Sequence, residues 1–483
     1  MNSSAATTRQ SPDQIVIVGA SLAGLRSAEA LREKGFRGKL TLIGDESHEP
    51  YDRPPLSKQV LTGYAPADRT ALPRLRELNA EWRLGVAAVG LDTVTQRVRL
   101  ADGDEVGFDR LLISTGVRAR QWPNQTEAAL DGVCVLRTRD DAARLRRFLA
   151  AEPKRVLIIG AGFIGSEVAS VCRELGLPVT VVDRGGAPLE NALGGVIGAY
   201  AATLQRKHGV DLRCGVTVDE LEGNGNGRLR RAHLSDGTTL DVDVAVAALG
   251  SIRNTEWLHD SGLAVDSGWG VACDAACRVF ELNGIVSDHI FVAGDVARSP
   301  HPLYNFEFLA VEHWTNAVAQ ADVAAHNMVC APADRRPHLA IPTFWSAQFG
   351  VNIKSVGVPR FADQVIVGLG SVDESRFVAA YGSRGRLVAA VTVNQGMWLD
   401  HFERMIAESA PFPPPSLGFD QPAAIQPVPA LFPSPRVITH EPDVILTGHT
   451  PSERRATFAP PRQVPDNPAA PVIASDKPKV ESR

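Results

Sequence analysis

The 483-residue sequence predicts an α/β protein built around two Rossmann-like units, each a buried strand that runs through a glycine turn into a helix. Three observations carry this. Residues 15–33 read IVIVGASLAGLRSAEALRE and residues 156–174 read VLIIGAGFIGSEVASVCRE, so one strand–turn–helix pattern is written twice. In each copy four consecutive β-branched or leucine residues suit a strand buried on both faces, and the later Leu, Ala and Val spacing suits a helix packed back on it. Each copy is followed, roughly 20 to 25 residues on, by an apolar strand ending in an aspartate: LTLIGDE supplies Asp45 and PVTVVDR supplies Asp183.

The glycines let the backbone turn tightly and come close to a ligand, so that helix-end N–H groups can hold a pyrophosphate. Gly160, Gly162 and Gly165 complete G-x-G-x-x-G, whereas in the first copy Ser21 stands between Gly19 and Gly24. One such phrase also fits a tight turn with no ligand. Two, each with its acid, point to two dinucleotide sites, and the economical pair is FAD beside a nicotinamide dinucleotide, which exchange hydride. Asp183 suits both hydroxyls of an NAD ribose and repels a 2′-phosphate, while Arg184 beside it is the kind of group that accommodates that phosphate. The carboxylate at the strand end carries more weight, so NADH is expected over NADPH.

Length suggests about three domains, and 44% hydrophobic with 22% charged residues is ordinary for a globular chain. The N-terminal MNSSAATTRQSPDQ has no apolar signal region and no run reaches membrane-spanning length, so neither export nor a membrane is expected and the location is expected to be cytoplasmic. A formal charge of −5 gives no support to nucleic-acid binding. The six cysteines are scattered without a C-x-x-C pair; Cys273 and Cys277 lie close together and are expected to be semi-buried thiols rather than metal ligands, so no metal site is expected. The region after the first unit holds no cysteine, which argues against a disulfide reductase. It holds instead PYDRPPLSK, residues 50–58, in which the paired prolines are expected to forbid helix before Leu56 and Ser57 to cap the helix that follows.

That segment, with the glycine repeat, LLISTG (111–116), LGSIRNTEWL (249–258), IFVAGDVA (290–297), VEHWTNA (311–317) and FWSAQFG (344–350), resembles the NAD(P)H-dependent ferredoxin and rubredoxin reductases, of the putidaredoxin-reductase and aromatic-dioxygenase-reductase type. The resemblance covers residues from about 13 to about 410. It implies the glutathione-reductase-like fold: an FAD domain in two segments, 1–116 and 248–327, an inserted NAD(P) domain, 117–247, and a C-terminal α+β domain, 328–410, closing over the flavin. It implies an FAD-dependent reductase that takes a hydride from NADH and passes single electrons to a [2Fe–2S] ferredoxin or a rubredoxin. An NADH-responsive signalling flavoprotein of the apoptosis-inducing-factor type is the alternative, and the oligomeric state stays open.

By the same resemblance Gly19, Ser21 and Gly24 meet the FAD pyrophosphate, Asp45 its adenosine ribose and Arg53 a phosphate, with further cofactor contacts at Thr115, Gly116, Gly250 and Gly294. Asp295 would bond the ribityl chain, though an aspartate there also suits a helix cap. Glu312, His313 and Trp314 would open a helix aimed at the flavin, where its N-terminus stabilises negative charge on the reduced ring. Trp314 would cover that ring, with Trp345 as the other candidate lid. Gly160, Gly162, Gly165, Asp183 and Arg184 belong to the NAD site, and Glu167, expected in the first helical turn, would pair with Lys58 between the two rings. Arg253 stands where proline is usual and Ala347 where aspartate is common. Residues 411–483 hold about half of the 33 prolines and are expected to form a disordered extension, whose apolar pieces ALF and VIL could add to the folded body or hold a partner.

Overall fold

The computed structural model describes residues 12–414 and three short strands beyond them, Gln426–Pro427, Val444–Thr447 and Arg455–Phe458. The first repeat forms the centre of a six-stranded sheet. Strand Gln14–Val18 lies between Lys39–Gly44 and Arg110–Ile113, parallel to both. Val286–Val292 extends the sheet beside Arg110–Ile113, so residues on either side of the second repeat complete one layer. Its central residues Ile15, Val16 and Ile17 are fully buried, as a strand covered on both faces requires.

The second repeat builds a five-stranded, wholly parallel sheet in which Val156–Ile159 lies between Val179–Asp183 and Val244–Ala247. The chain crosses between the two sheets along Val117–Ala119 and returns along Ser251–Arg253, and these strands pair antiparallel. Arg118 pairs with Glu256 at 2.5 Å across this link.

The third domain is an antiparallel sheet ordered Thr343–Gln348, Val351–Gly357, Arg386–Val393, Arg376–Ser383, Gln364–Ser371 and Gln426–Pro427. Its period-2 alternation separates two faces. Val378 and Ala380 meet Phe402 and Ile406 of helix Leu399–Ala407, while Phe377, Ala379 and Tyr381 pack with Leu193, Ile197 and Tyr200 of the second domain.

The sheet domain does not stop at residue 410. Phe412 is buried, donates its N–H to the Gly385 carbonyl at 2.9 Å, and lies so close over Gly382 that a Cβ there would sit 2.2 Å from the ring. A chain ending at 410 is therefore expected to lose about 3 kcal/mol, the scale of removing a buried phenylalanine, and to melt at a lower temperature than one ending at 427. Equal thermal melts of the two truncations would show that Phe412 adds nothing. VIL falls in Val444–Thr447, which pairs with Arg455–Phe458. ALF and most of the expected disordered extension lie outside the described residues.

Cys273 and Cys277 are fully buried rather than half-buried, and burial pushes both thiols well above the usual range. Among the described residues no helix is long and apolar enough to cross a membrane.

Candidate active site

The two glycine turns have the same stereochemistry. Gly19 has φ +115° and Gly160 φ +106°; a Cβ on the first would lie 2.1 Å from the Ser114 carbonyl oxygen and on the second 2.4 Å from that of Ala248. A Cβ on Gly24 would lie 2.0 Å from the Gly19 oxygen, and one on Gly165 1.9 Å from the Gly160 oxygen, so each helix packs against its own strand only through glycine. The middle position differs: a Cβ on Gly162 meets nothing within 4 Å. Ser21 occupies the equivalent helix N-cap with extended backbone, which any residue adopts. The protein's own packing does not ask for glycine there, which is why serine fits. Neither N-cap residue makes a side-chain cap bond, leaving first-turn N–H groups available to an anion.

Asp183 is clamped beside the second turn, its two oxygens accepting from the N–H groups of Ala161 and Gly185, each at 2.6 Å, while Arg184 is exposed. Asp45 is exposed just beyond its strand and accepts from the Glu46 N–H.

In PYDRPPLSK the prolines do not keep helix away. They occupy the first positions of a 3₁₀ turn, Pro54–Ser57, where a missing N–H costs nothing. Ser57 does not cap the following helix Gln59–Thr62, whose N-cap is Lys58; its hydroxyl donates instead to Glu167 Oε2 at 2.5 Å. Lys58 Nζ meets the same oxygen at 2.6 Å, and Ser346 donates to Oε1 at 2.6 Å. Glu167 lies in the second turn of helix Phe163–Glu174, not the first, and is buried. One carboxylate thus gathers donors from the segment after the first repeat and from the C-terminal sheet.

Arg53 does not stand as an uncommitted cation. It pairs with Glu46 at 2.7 Å, donates to the Tyr51 hydroxyl and the Arg137 carbonyl, and stacks on the Tyr51 ring. Burial would push the Glu46 carboxyl up, but the Arg53 charge and hydrogen bonds from Tyr51 and Arg53 outweigh it and hold it below the usual range. Asp295 caps no helix, because the next element is strand Ala297–His301; it pairs with Arg137 at 2.9 Å. Thr115 and Asn254 are locked by two reciprocal bonds of 2.8 Å. Gly116, Gly250 and Gly294 all have positive φ, and a Cβ on either of the first two meets nothing within 4 Å.

Helix Trp314–Val329 begins one or two residues later than expected: His313 is its N-cap and Glu312 lies outside. Glu312 is tied to the interdomain link, to Arg253 at 2.9 Å and the Ser251 hydroxyl at 2.6 Å. Trp314 donates to Asp52 at 2.9 Å, and its ring stands 6.2 Å from that of Trp345, which is 43% exposed. The buried His313 Nδ1 has no partner among the described residues. Burial lowers this imidazole to about 4 against the pull of Asp295, so at neutral pH the ring is uncharged. Three helix N-termini without side-chain caps, an open middle position in the second glycine turn and an unpartnered ring nitrogen fit a site made for two dinucleotides. Glu46, Arg137, Asn254 and Ser346 were not singled out by the sequence, although Glu46 ends LTLIGDE, Asn254 lies in LGSIRNTEWL and Ser346 in FWSAQFG; Arg137 had no such signal.

Residues 13–321 match the pyridine nucleotide-disulphide oxidoreductase family and residues 343–425 the reductase C-terminal family. Putidaredoxin reductase of Pseudomonas putida is 33% identical over 413 residues, 84% of this chain and 94% of that protein. The ferredoxin–NAD(+) reductase component of the p-cumate 2,3-dioxygenase system of the same species is 36% identical over 357 residues, 74% of this chain and 84% of that one. Among solved structures, the covalent putidaredoxin reductase–putidaredoxin complex aligns with a TM-score of 0.77 at 31% identity, covering 83% of this chain and 94% of the reductase. Human apoptosis-inducing factor 3 is matched at 30% identity, with 61% of its length covered. With two such glycine turns, the buried lysine–glutamate pair and these relatives, the chain belongs to the FAD-containing ferredoxin–NAD(+) reductases of the pyridine nucleotide-disulphide oxidoreductase family.

Proposed function

We propose that this enzyme oxidises NADH and delivers electrons singly to a small iron–sulfur protein, a [2Fe–2S] ferredoxin or a rubredoxin, that serves a P450 or a dioxygenase. The observation that carries the reading is the buried Lys58–Glu167 pair, which joins the helix of the second glycine turn to the segment after the first. FAD, when bound, supplies a ring that accepts electrons as a hydride and releases them one at a time. Gly19, Ser21, Gly24 and Asp45, with Thr115, Gly116, Gly294 and Asp295, hold that cofactor. Gly160, Gly162, Gly165 and Asp183 hold NADH, with Gly250 beside the link. Lys58 and Glu167 would orient the bound rings, and neither would be required to move a proton. The N-terminus of helix Trp314–Val329 would favour negative charge on a ring bound there, without help from the neutral His313. Trp314 and Trp345 shield the ring from water.

Reduction of cytochrome c by NADH that appears only when a ferredoxin is added tests this function. Fast flavin reduction with no acceleration by any ferredoxin or rubredoxin would defeat the electron-transfer assignment. A cytoplasmic location is part of the proposal, in keeping with six free cysteines.

Coenzyme choice follows from Asp183. Two backbone N–H groups fix its carboxylate, so it cannot swing away from a 2′-phosphate. NADH is expected to exceed NADPH at least about tenfold in kcat/KM, about 1.4 kcal/mol, with Asp183→Ala narrowing the gap. Equal efficiencies in the unaltered enzyme would assign control to Arg184 instead.

A further inference from the structure

We infer that Ser346, supplied by the C-terminal domain, is a positioning residue for hydride transfer: its hydroxyl fixes the Glu167 carboxylate, which in turn fixes Lys58. The inference rests on the reading that NADH reduces the bound flavin. Glu167 Oε2 receives both Lys58 and Ser57. With donors on that oxygen alone the carboxylate plane would stay loosely defined, because the terminal torsion of glutamate has a broad minimum. Ser346 binds the other oxygen at 2.6 Å and sets the plane. The hydroxyl's own orientation is helped by Gln348, whose Nε2 lies 3.4 Å from Ser346 Oγ as a donor and so leaves the serine proton for the carboxylate.

The strand that carries Ser346, together with the turn residue that follows it, is held to the glutamate helix at three points. Phe344 packs on Phe163 with centroids 4.7 Å apart, Ser346 bonds Glu167, and the Phe349 N–H donates to Ser170 Oγ at 2.6 Å. Phe163, Glu167 and Ser170 follow the i, i+4, i+7 spacing of one helix face. Ser346 is 1% exposed and Ser57 2%, so water does not replace either donor freely. The adjoining Trp345 points to the opposite face of the strand and meets Trp314. A single strand therefore places one side chain on the ion pair and the next beside the tryptophan at the helix end.

The test is anaerobic stopped-flow reduction of the purified FAD enzyme at saturating NADH. Ser346→Ala is expected to slow the first-order reduction about tenfold, about 1.4 kcal/mol, with NADH affinity and FAD content nearly unchanged, and Ser346→Thr to restore most of the rate. In a Glu167→Gln background, Ser346→Ala is expected to add little, because the two residues act through one contact. A normal rate in Ser346→Ala, or a full multiplicative loss in the double variant, overturns the inference. Should the alanine variant not retain flavin, Ser346→Cys, which keeps the volume and weakens the donor, is read in the same way: an undiminished rate counts against the inference and an intermediate one supports it. If the unaltered enzyme is not reduced by NADH at all, it is the proposed function that fails.

Discussion

Lys58→Ala is expected to slow reduction of the flavin by NADH about a hundredfold while FAD stays bound, since a ring displaced by about 1 Å loses roughly that factor. Lys58 lies outside the glycine turn proposed to hold FAD, so retention of the cofactor is a fair control. The variant also leaves Glu167 buried with only hydroxyl donors, and breaking one partner from a buried pair costs about 3–5 kcal/mol. A lower melting temperature should therefore accompany the slow reduction. Glu167→Gln removes the charge but keeps the shape and is expected to be milder in stability. Stopped-flow traces at several NADH concentrations separate rate from affinity; a limiting rate equal to that of the unaltered enzyme would show that the pair orients nothing.

Gly165→Ala should abolish useful NADH binding, by about a hundredfold or about 2.7 kcal/mol, because its Cβ would meet the Gly160 carbonyl at 1.9 Å and force the helix off the end of its strand. A backbone oxygen cannot step aside as a flexible side chain does, so domain stability should fall as well, by at least about 1–3 kcal/mol. Gly162→Ala is the informative contrast. Nothing of the protein lies within 4 Å of that Cβ and the backbone is extended, so the fold should be unaffected while the approach of the NADH pyrophosphate is obstructed. FAD content should be normal in both, since the turn proposed for FAD is the other copy. Thermal melts with NAD(+) titrations decide the matter; a stable, tightly binding Gly165→Ala, or an unfolded Gly162→Ala, would refute this division of roles.

Most of the fold was legible because the repeat is local: strand, glycine turn and helix are set by residues within about 30 positions, and the terminal acid falls where the pattern requires. The Lys58–Glu167 pair was legible only through resemblance. No periodicity connects residues so far apart, yet the structure brings them to 2.6 Å. What stayed hidden was the set of partners that long-range folding supplies. Arg137 for Asp295 and Arg253 for Glu312 are ion pairs between segments that no spacing rule relates, and even Glu46 for Arg53, seven residues apart, lies in a loop with no periodicity to announce it. Arg253, which stands where proline is usual, holds Glu312 against the link. Helix ends were misplaced where prolines and serines have two uses: Pro54 and Pro55 start a 3₁₀ turn rather than barring one, and Ser57 serves a distant carboxylate rather than its own helix. The edge at Phe412 was missed because a proline-rich composition masks one aromatic that docks.

The antiparallel crossing of Val117–Ala119 with Ser251–Arg253 has a consequence for how the chain is assembled on the ribosome. Strand Arg110–Ile113 emerges early, yet its neighbour Val286–Val292 is made only after the whole second domain. The first sheet must therefore wait with four of its six strands made and an open edge, while the contiguous second domain folds as soon as it is extruded. Because that domain's two ends come together in the paired link, its folding brings residues 117 and 253 side by side and removes most of the loop-closure cost of joining Val286–Val292 to its early partner. The coenzyme domain is then not only an insertion the host tolerates: it serves as the clamp that lets a discontinuous host close late in synthesis.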